Sequence, residues 1–109
     1  MNEPLRIAIC EDRPEDSDLL LRQIRSSNIP ARCDVFANGE NFLQSFVPGM
    51  YHLIFLDIYM KDMSGIDTAA KIRTTDNYVM LAFTTTSRTH ALEVQQFRSL
   101  LYILNSRHS

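Results

Sequence analysis

Cysteine is scarce in this chain: Cys10 and Cys33 are the only two among 109 residues, too few for a disulfide framework. Neither belongs to a CxxC pair or a Cys/His cluster, which leaves no redox motif or zinc ligand set around them. Both read as reduced, buried small hydrophobes of a cytosolic protein. No apolar run approaches the roughly 20 residues needed to cross a bilayer. Met1-Asn2-Glu3-Pro4 also lacks the basic region and apolar stretch of a secretion signal. A cytoplasmic location without membrane contact is therefore expected. Excess positive charge is missing too, since a formal net charge of −2 gives this chain alone no nucleic-acid footprint. Repeats, low-complexity tracts and interdomain linkers are absent, so a single domain over 1–109 is expected.

What is present is an alternation of strand-like and helix-like segments. Leu5 to Cys10 is a short apolar run that stops in Glu11-Asp12. Pro14 then suits a first helical turn, Glu15, Asp16 and Asp18 favour a helix N-terminus, and Leu20, Leu21 and Ile24 supply an apolar face to about Ser27. Asn28-Ile29-Pro30 breaks that helix, Ala31 to Ala37 reads as a second strand, and Asn38-Gly39 as a turn. Phe42, Leu43 and Phe46 mark a short helix stopped by Pro48-Gly49. His52 to Asp57 is the third strand, Lys61 to Gly65 a loop, and Ile66, Ala69, Ala70 and Ile72 the face of a third helix. Tyr78 to Phe83 is the fourth strand and runs into Thr84-Thr85-Thr86-Ser87; a helix over His90 to Phe97 and a fifth strand over Leu100 to Leu104 complete the pattern.

Strands interleaved with helices predict a doubly wound α/β domain with a five-stranded, mainly parallel sheet and helices on both faces. Strand interiors that are apolar throughout fit a sheet covered on both sides. In such folds function gathers at the carboxyl ends of the strands. Glu11, Asp12, Asp57 and the Thr84–Ser87 cluster all fall there. Crowded carboxylates repel one another unless a cation sits among them, so the arrangement points to a divalent-metal site with one carboxylate free to act as a nucleophile. Taken singly, each part has a plainer explanation: an acidic pair at a helix start caps the helix, a threonine run is a solvated turn, and Tyr102 is core.

As a set, Ile-Ala-Ile-Cys-Glu11-Asp12, Leu-Ile-Phe-Leu-Asp57-Ile-Tyr-Met, Ser-Gly65-Ile-Asp and Phe-Thr84-Thr85-Thr86 resemble the receiver domain of two-component response regulators. Leu-Asp-Ile-Tyr-Met and the Ala91-Leu92-Glu93 segment resemble receivers that carry a LytTR-type DNA-binding domain, although no output domain is present here. The resemblance implies the flavodoxin-like strand order 2-1-3-4-5. It makes Asp57 the phosphoryl acceptor, supplied by a sensor histidine kinase or phosphotransfer protein. It implies a Mg²⁺ ion held by Asp12 and Asp57, by Glu11 through a water, and by the backbone carbonyl of Tyr59. Thr85 becomes the switch hydroxyl and Tyr102 the switch aromatic, in a signalling module that accepts a phosphoryl group but is not a turnover enzyme.

Two departures stand out. The family's lysine after the last strand is replaced by Asn105, which donates hydrogen bonds but brings no charge. That loss favours an alternative, a pseudo-receiver that binds partners without being phosphorylated. The family's final helix has no counterpart after Arg107-His108-Ser109, which predicts an apolar strip along the first helix and a homodimer through that face. An aspartyl-nucleophile phosphatase would need a second acid where Tyr59 stands. A flavin domain would need a glycine- and hydroxyl-rich anion cradle after the first strand, where this chain is acidic.

Overall fold

The computed structural model describes residues 3–84, which form four strands and three helices in strict alternation. These are β1 (Leu5–Cys10), α1 (Pro14–Ser26), β2 (Ala31–Phe36), α2 (Gly39–Ser45), β3 (Leu53–Asp57), α3 (Gly65–Arg73) and β4 (Met80–Thr84). The strands make one parallel sheet in the order β2-β1-β3-β4. The expected fifth strand, and with it the full 2-1-3-4-5 order, lies outside the described residues.

The alternation of side chains along β1 and β3 builds two cores at once. Leu5, Ile7, Ile9, Leu53 and Phe55 face α1, where they meet Leu20 and Ile24. Ala8, Cys10, Ile54 and Leu56 face the other way and meet Phe42, Ala69 and Ile72 from α2 and α3. Every β3 residue is buried. A strand sandwiched between two helical layers has no face left for polar residues, and Asp57 is the exception that ends it. On the α1 side, the β1 and β3 residues are buried, while Leu21, Ile29, Ala31, Cys33, Met80 and Ala82 are half-buried against them.

Local signals set the helix boundaries. Pro14 occupies the first turn of α1, Glu15 and Asp16 lie at its positive end, and Arg25 sits in its last turn. Asn28 follows in the left-handed region (φ 62°), which asparagine tolerates better than most residues. Ser64 caps α3 by accepting the Asp67 N–H at 3.0 Å.

The structure corrects the sequence reading at three places. Asn38-Gly39 is not a turn: Asn38 is the N-cap of α2, its Oδ1 accepting the Asn41 N–H at 2.7 Å, and Gly39 begins the helix. Strand β2 is not apolar throughout, because it is an edge of the sheet as described and exposes Arg32, Asp34 and Val35. Strand β4 starts at Met80 rather than Tyr78, whose side chain is 93% exposed. The preceding loop is organised by buried Asp76, whose carboxylate accepts the N–H groups of Gly49, Tyr78 and Val79 at 2.9–3.0 Å. Burial alone would push Asp76 up, but those three N–H groups and Arg73 outweigh it and hold the carboxyl below its usual range.

Candidate functional site

Asp57 is the last residue of β3 and is fully buried. The neighbouring strand brings Thr84 alongside it, and the Ile58 N–H donates to the Thr84 carbonyl at 3.0 Å. One carboxylate oxygen, Oδ1, accepts the Tyr59 N–H at 3.2 Å. The other, Oδ2, has no hydrogen-bond partner, a costly state for a buried charged atom unless something else completes it.

Glu11 follows β1 directly. Its N–H continues the ladder to the Phe36 carbonyl at 2.9 Å, and its side chain turns back so that Oε2 accepts the Arg13 N–H at 3.1 Å. Asp12 is half-buried beside it. Because β1 and β3 are neighbours in register, with Cys10 opposite Leu56, both acidic ends emerge at the same rim. Carboxylate oxygens of Glu11, Asp12 and Asp57 all lie within 4.8 Å of one another. Thus the sequence-predicted acids are brought together. Tyr59 lies in the turn after Asp57 and is 67% exposed. Thr85, Tyr102 and Asn105 lie outside the described residues.

Electrostatically the site is unbalanced. Burial pushes the Glu11 carboxyl up to about 8, and the charges of Asp57 and Asp16 push the same way against the Arg13 N–H. Burial also raises Asp57, opposed by the Tyr59 N–H and by Glu11, with Asp12 and Asp16 adding to the rise. Without a cation, burial and mutual repulsion disfavour the simultaneous ionisation of Glu11 and Asp57. Among the described residues none of the three forms an ion pair with a basic side chain.

The donor set fits a hard divalent cation: all ligand atoms are carboxylate oxygens, and an incomplete protein shell suits an ion that keeps several waters. The unpartnered Oδ2 of Asp57 is the atom such an ion, or a bound anion, would complete.

The sequence reading missed Asp16 as part of this site. It lies in the first turn of α1, is 7% exposed, and carries an Oδ2 without a hydrogen-bond partner. Its charge acts on both Glu11 and Asp57. The available signal was its position four residues after Asp12, one helical turn along, but an acid in a first turn reads equally well as dipole complementarity.

A parallel α/β sheet with paired acids after β1 and a buried aspartate closing β3 defines a class, and comparison with known proteins agrees with it. The model of the response regulator receiver domain matches residues 7–101, and the chain belongs to that family. It is a receiver domain of two-component signalling.

Among curated proteins, the sensory transduction protein LytR of Staphylococcus haemolyticus is 31% identical over 103 residues, covering 92% of this chain and 39% of the relative. LytT of Oceanobacillus iheyensis is 28% identical over 102 residues, covering 92% of this chain and 42% of that protein. This chain therefore spans about two fifths of the length of these curated relatives. Among solved structures, the receiver domain of a sensor histidine kinase from Pseudomonas aeruginosa, with a magnesium ion coordinated in its active-site cleft, superposes with a TM-score of 0.75. It is 15% identical and covers 95% of this chain and 99% of its own. The response regulator TrrA of Thermotoga maritima, in complex with Mg²⁺-BeF, gives a TM-score of 0.60 at 23% identity, covering 86% of this chain and 98% of that one. At these identities the two structures establish the shared fold.

Proposed function

We propose that this domain is a magnesium-dependent phosphoacceptor in which phosphorylation of Asp57 switches partner binding. The observation that carries the reading is the buried, unpartnered Oδ2 of Asp57 facing a shared acidic cluster with Glu11 and Asp12. The magnesium in two solved relatives of the same fold supports it.

In the reaction, an Asp57 carboxylate oxygen attacks the phosphorus of a phosphohistidine on a kinase or phosphotransfer protein. A P–O bond forms, the P–N bond breaks, and the imidazole nitrogen leaves with the electron pair. Asp12 and Asp57 would ligate Mg²⁺ directly, Glu11 through water, and the Tyr59 carbonyl would complete the protein oxygens. When bound, the ion cancels the repulsion between the anionic carboxylate and the anionic phosphoryl group. The Tyr59 N–H fixes the carboxylate plane by holding Oδ1 and leaves Oδ2 without a hydrogen bond. Burial between two helical layers limits water around the acyl phosphate. Thr85 and Tyr102 are assigned the switch roles, and the domain acts as a signalling acceptor without turnover. No helix among the described residues is long and apolar enough to cross a membrane, and a cytoplasmic partner kinase fits the reading. Self-association through the α1 face is part of the proposal; beside that helix, a groove of about 240 Å³ at the β2 edge is lined by Leu21, Ile24, Arg25, Ile29, Ala31 and Cys33.

Incubation with acetyl phosphate and magnesium, followed by intact-mass measurement, tests the reading. A gain of one phosphoryl group that is absent in Asp57→Asn supports it. No gain under saturating conditions favours the pseudo-receiver, to which Asn105 already points.

A further inference from the structure

Resting on that reading, we infer that Arg13 is the side chain that binds the phosphoryl oxygens at Asp57, and that Asp16 holds it in reserve until the anion arrives. The site is rich in negative charge, with Glu11, Asp12 and Asp57 clustered and Asp16 acting on two of them. A phosphoryl group placed there adds further negative charge, more than one divalent ion cancels. Asn105 supplies no cation.

Arg13 is placed to supply it. It follows Asp12 directly, stands at the N-cap position of α1, and its own N–H is fixed on Glu11 Oε2 at 3.1 Å. The backbone is therefore anchored to the acid cluster while the side chain remains 46% exposed. Its guanidinium is held only loosely, with Nε 3.7 Å from Asp16 Oδ2 and Nη2 3.6 Å from Glu15 Oε2. Both separations exceed hydrogen-bond length, and Asp16 Oδ2 accordingly has no hydrogen-bond partner despite its burial. A planar guanidinium with several donors gains more from a phosphoryl group, which it can meet in bidentate fashion, than from two distant carboxylates. Asp16 thus keeps the cation beside the site without saturating it.

The test measures beryllofluoride affinity by calorimetry at saturating magnesium, with magnesium affinity measured separately, for wild type, Arg13→Ala, Arg13→Lys, Asp16→Asn and Lys61→Ala. Loss of one charge-assisted contact is expected to weaken beryllofluoride binding roughly ten- to a hundredfold in Arg13→Ala. Magnesium affinity should hold or tighten in the same variant, because a positive charge has left an acid cluster. Arg13→Lys should recover part of the loss, Asp16→Asn should bind the anion more tightly than wild type, and Lys61→Ala should match wild type. An Arg13→Ala affinity within about twofold of wild type, or an equal loss for magnesium and anion, overturns the assignment; so does a larger loss in Lys61→Ala. Wild type that binds magnesium but no beryllofluoride overturns this inference and the phosphoacceptor reading together.

Discussion

Gly65 opens α3, yet its importance is to the aspartate eight residues earlier. A Cβ added there would lie 2.9 Å from the carbonyl carbon of Asp57 and 3.2 Å from the Ile58 Cα, with the Asp57 carbonyl oxygen closer still. All three are main-chain atoms, so no side-chain rotation relieves the clash; either α3 or the end of β3 must shift. Forcing extra volume into a close-packed site costs about 1–3 kcal/mol. Replacing glycine in a helix by alanine returns at most about 1 kcal/mol, and less at a first position. Gly65→Ala is therefore expected to lose about 1–2 kcal/mol in urea unfolding, a fall of roughly 4–8 °C in Tm per kcal/mol for a domain of this size. Because the atoms that yield carry Asp57, magnesium and beryllofluoride affinity should fall with stability. Gly49→Ala is the comparator. Gly49 has φ +84° and open space around its missing Cβ, so that variant should lose about 1 kcal/mol through backbone strain while binding magnesium normally. A Gly65→Ala protein as stable as wild type with unchanged magnesium affinity would refute the close-approach argument.

Three further outcomes follow from the same structure. Glu11 has a folded-state value near 8 against 4.5 for a free carboxyl, so the folded state binds more protons than the unfolded one between those values. Stability of the magnesium-free protein should thus fall as pH rises from about 4.5 to about 8. Urea unfolding across that range should show the slope in wild type and its loss in Glu11→Gln; a flat wild-type profile contradicts the burial of this acid. Asp76→Ala should cost about 3 kcal/mol by orphaning three N–H groups, a loss visible in thermal unfolding without any change in magnesium affinity. If Asp57 accepts a phosphoryl group as proposed, the bulky Tyr59 two residues on should hinder water, so Tyr59→Asn should speed decay of the phosphorylated form; an unchanged half-life removes that role.

The acid site was legible because its parts lie at places where the sequence changes character. Ile7–Cys10 and Leu53–Leu56 are unbroken apolar runs, and a buried parallel strand can end in charge only where it leaves the sheet, so Glu11, Asp12 and Asp57 meet at one rim once β1 and β3 are neighbours. Other features were hidden by ambiguity. Asn-Gly is as good a turn as it is a cap and first helical residue, and only the descent of α2 onto Thr68, beside Gly39, decides between them. Edge and central strands differ by neighbours rather than by composition, which is why β2 was read as more apolar than it is. Asp76 lies in Thr75-Asp76-Asn77, which reads as solvated turn. Its side chain bonds the N–H two residues on at Tyr78, a habit of aspartate that could have been anticipated, whereas its reach back to Gly49 could not. Gly65 stood in a recognised motif, but its reason, the approach of α3 to the Asp57 carbonyl, is purely three-dimensional.

The account rests on Glu11, Asp12 and Asp57 jointly holding one divalent cation. Diffraction from crystals soaked in manganese, with data collected to reveal anomalous scattering, locates that cation directly. The structure predicts one strong peak between the three carboxylates, lost in Asp12→Asn. A peak elsewhere, or none at the cluster under saturating manganese, would contradict it.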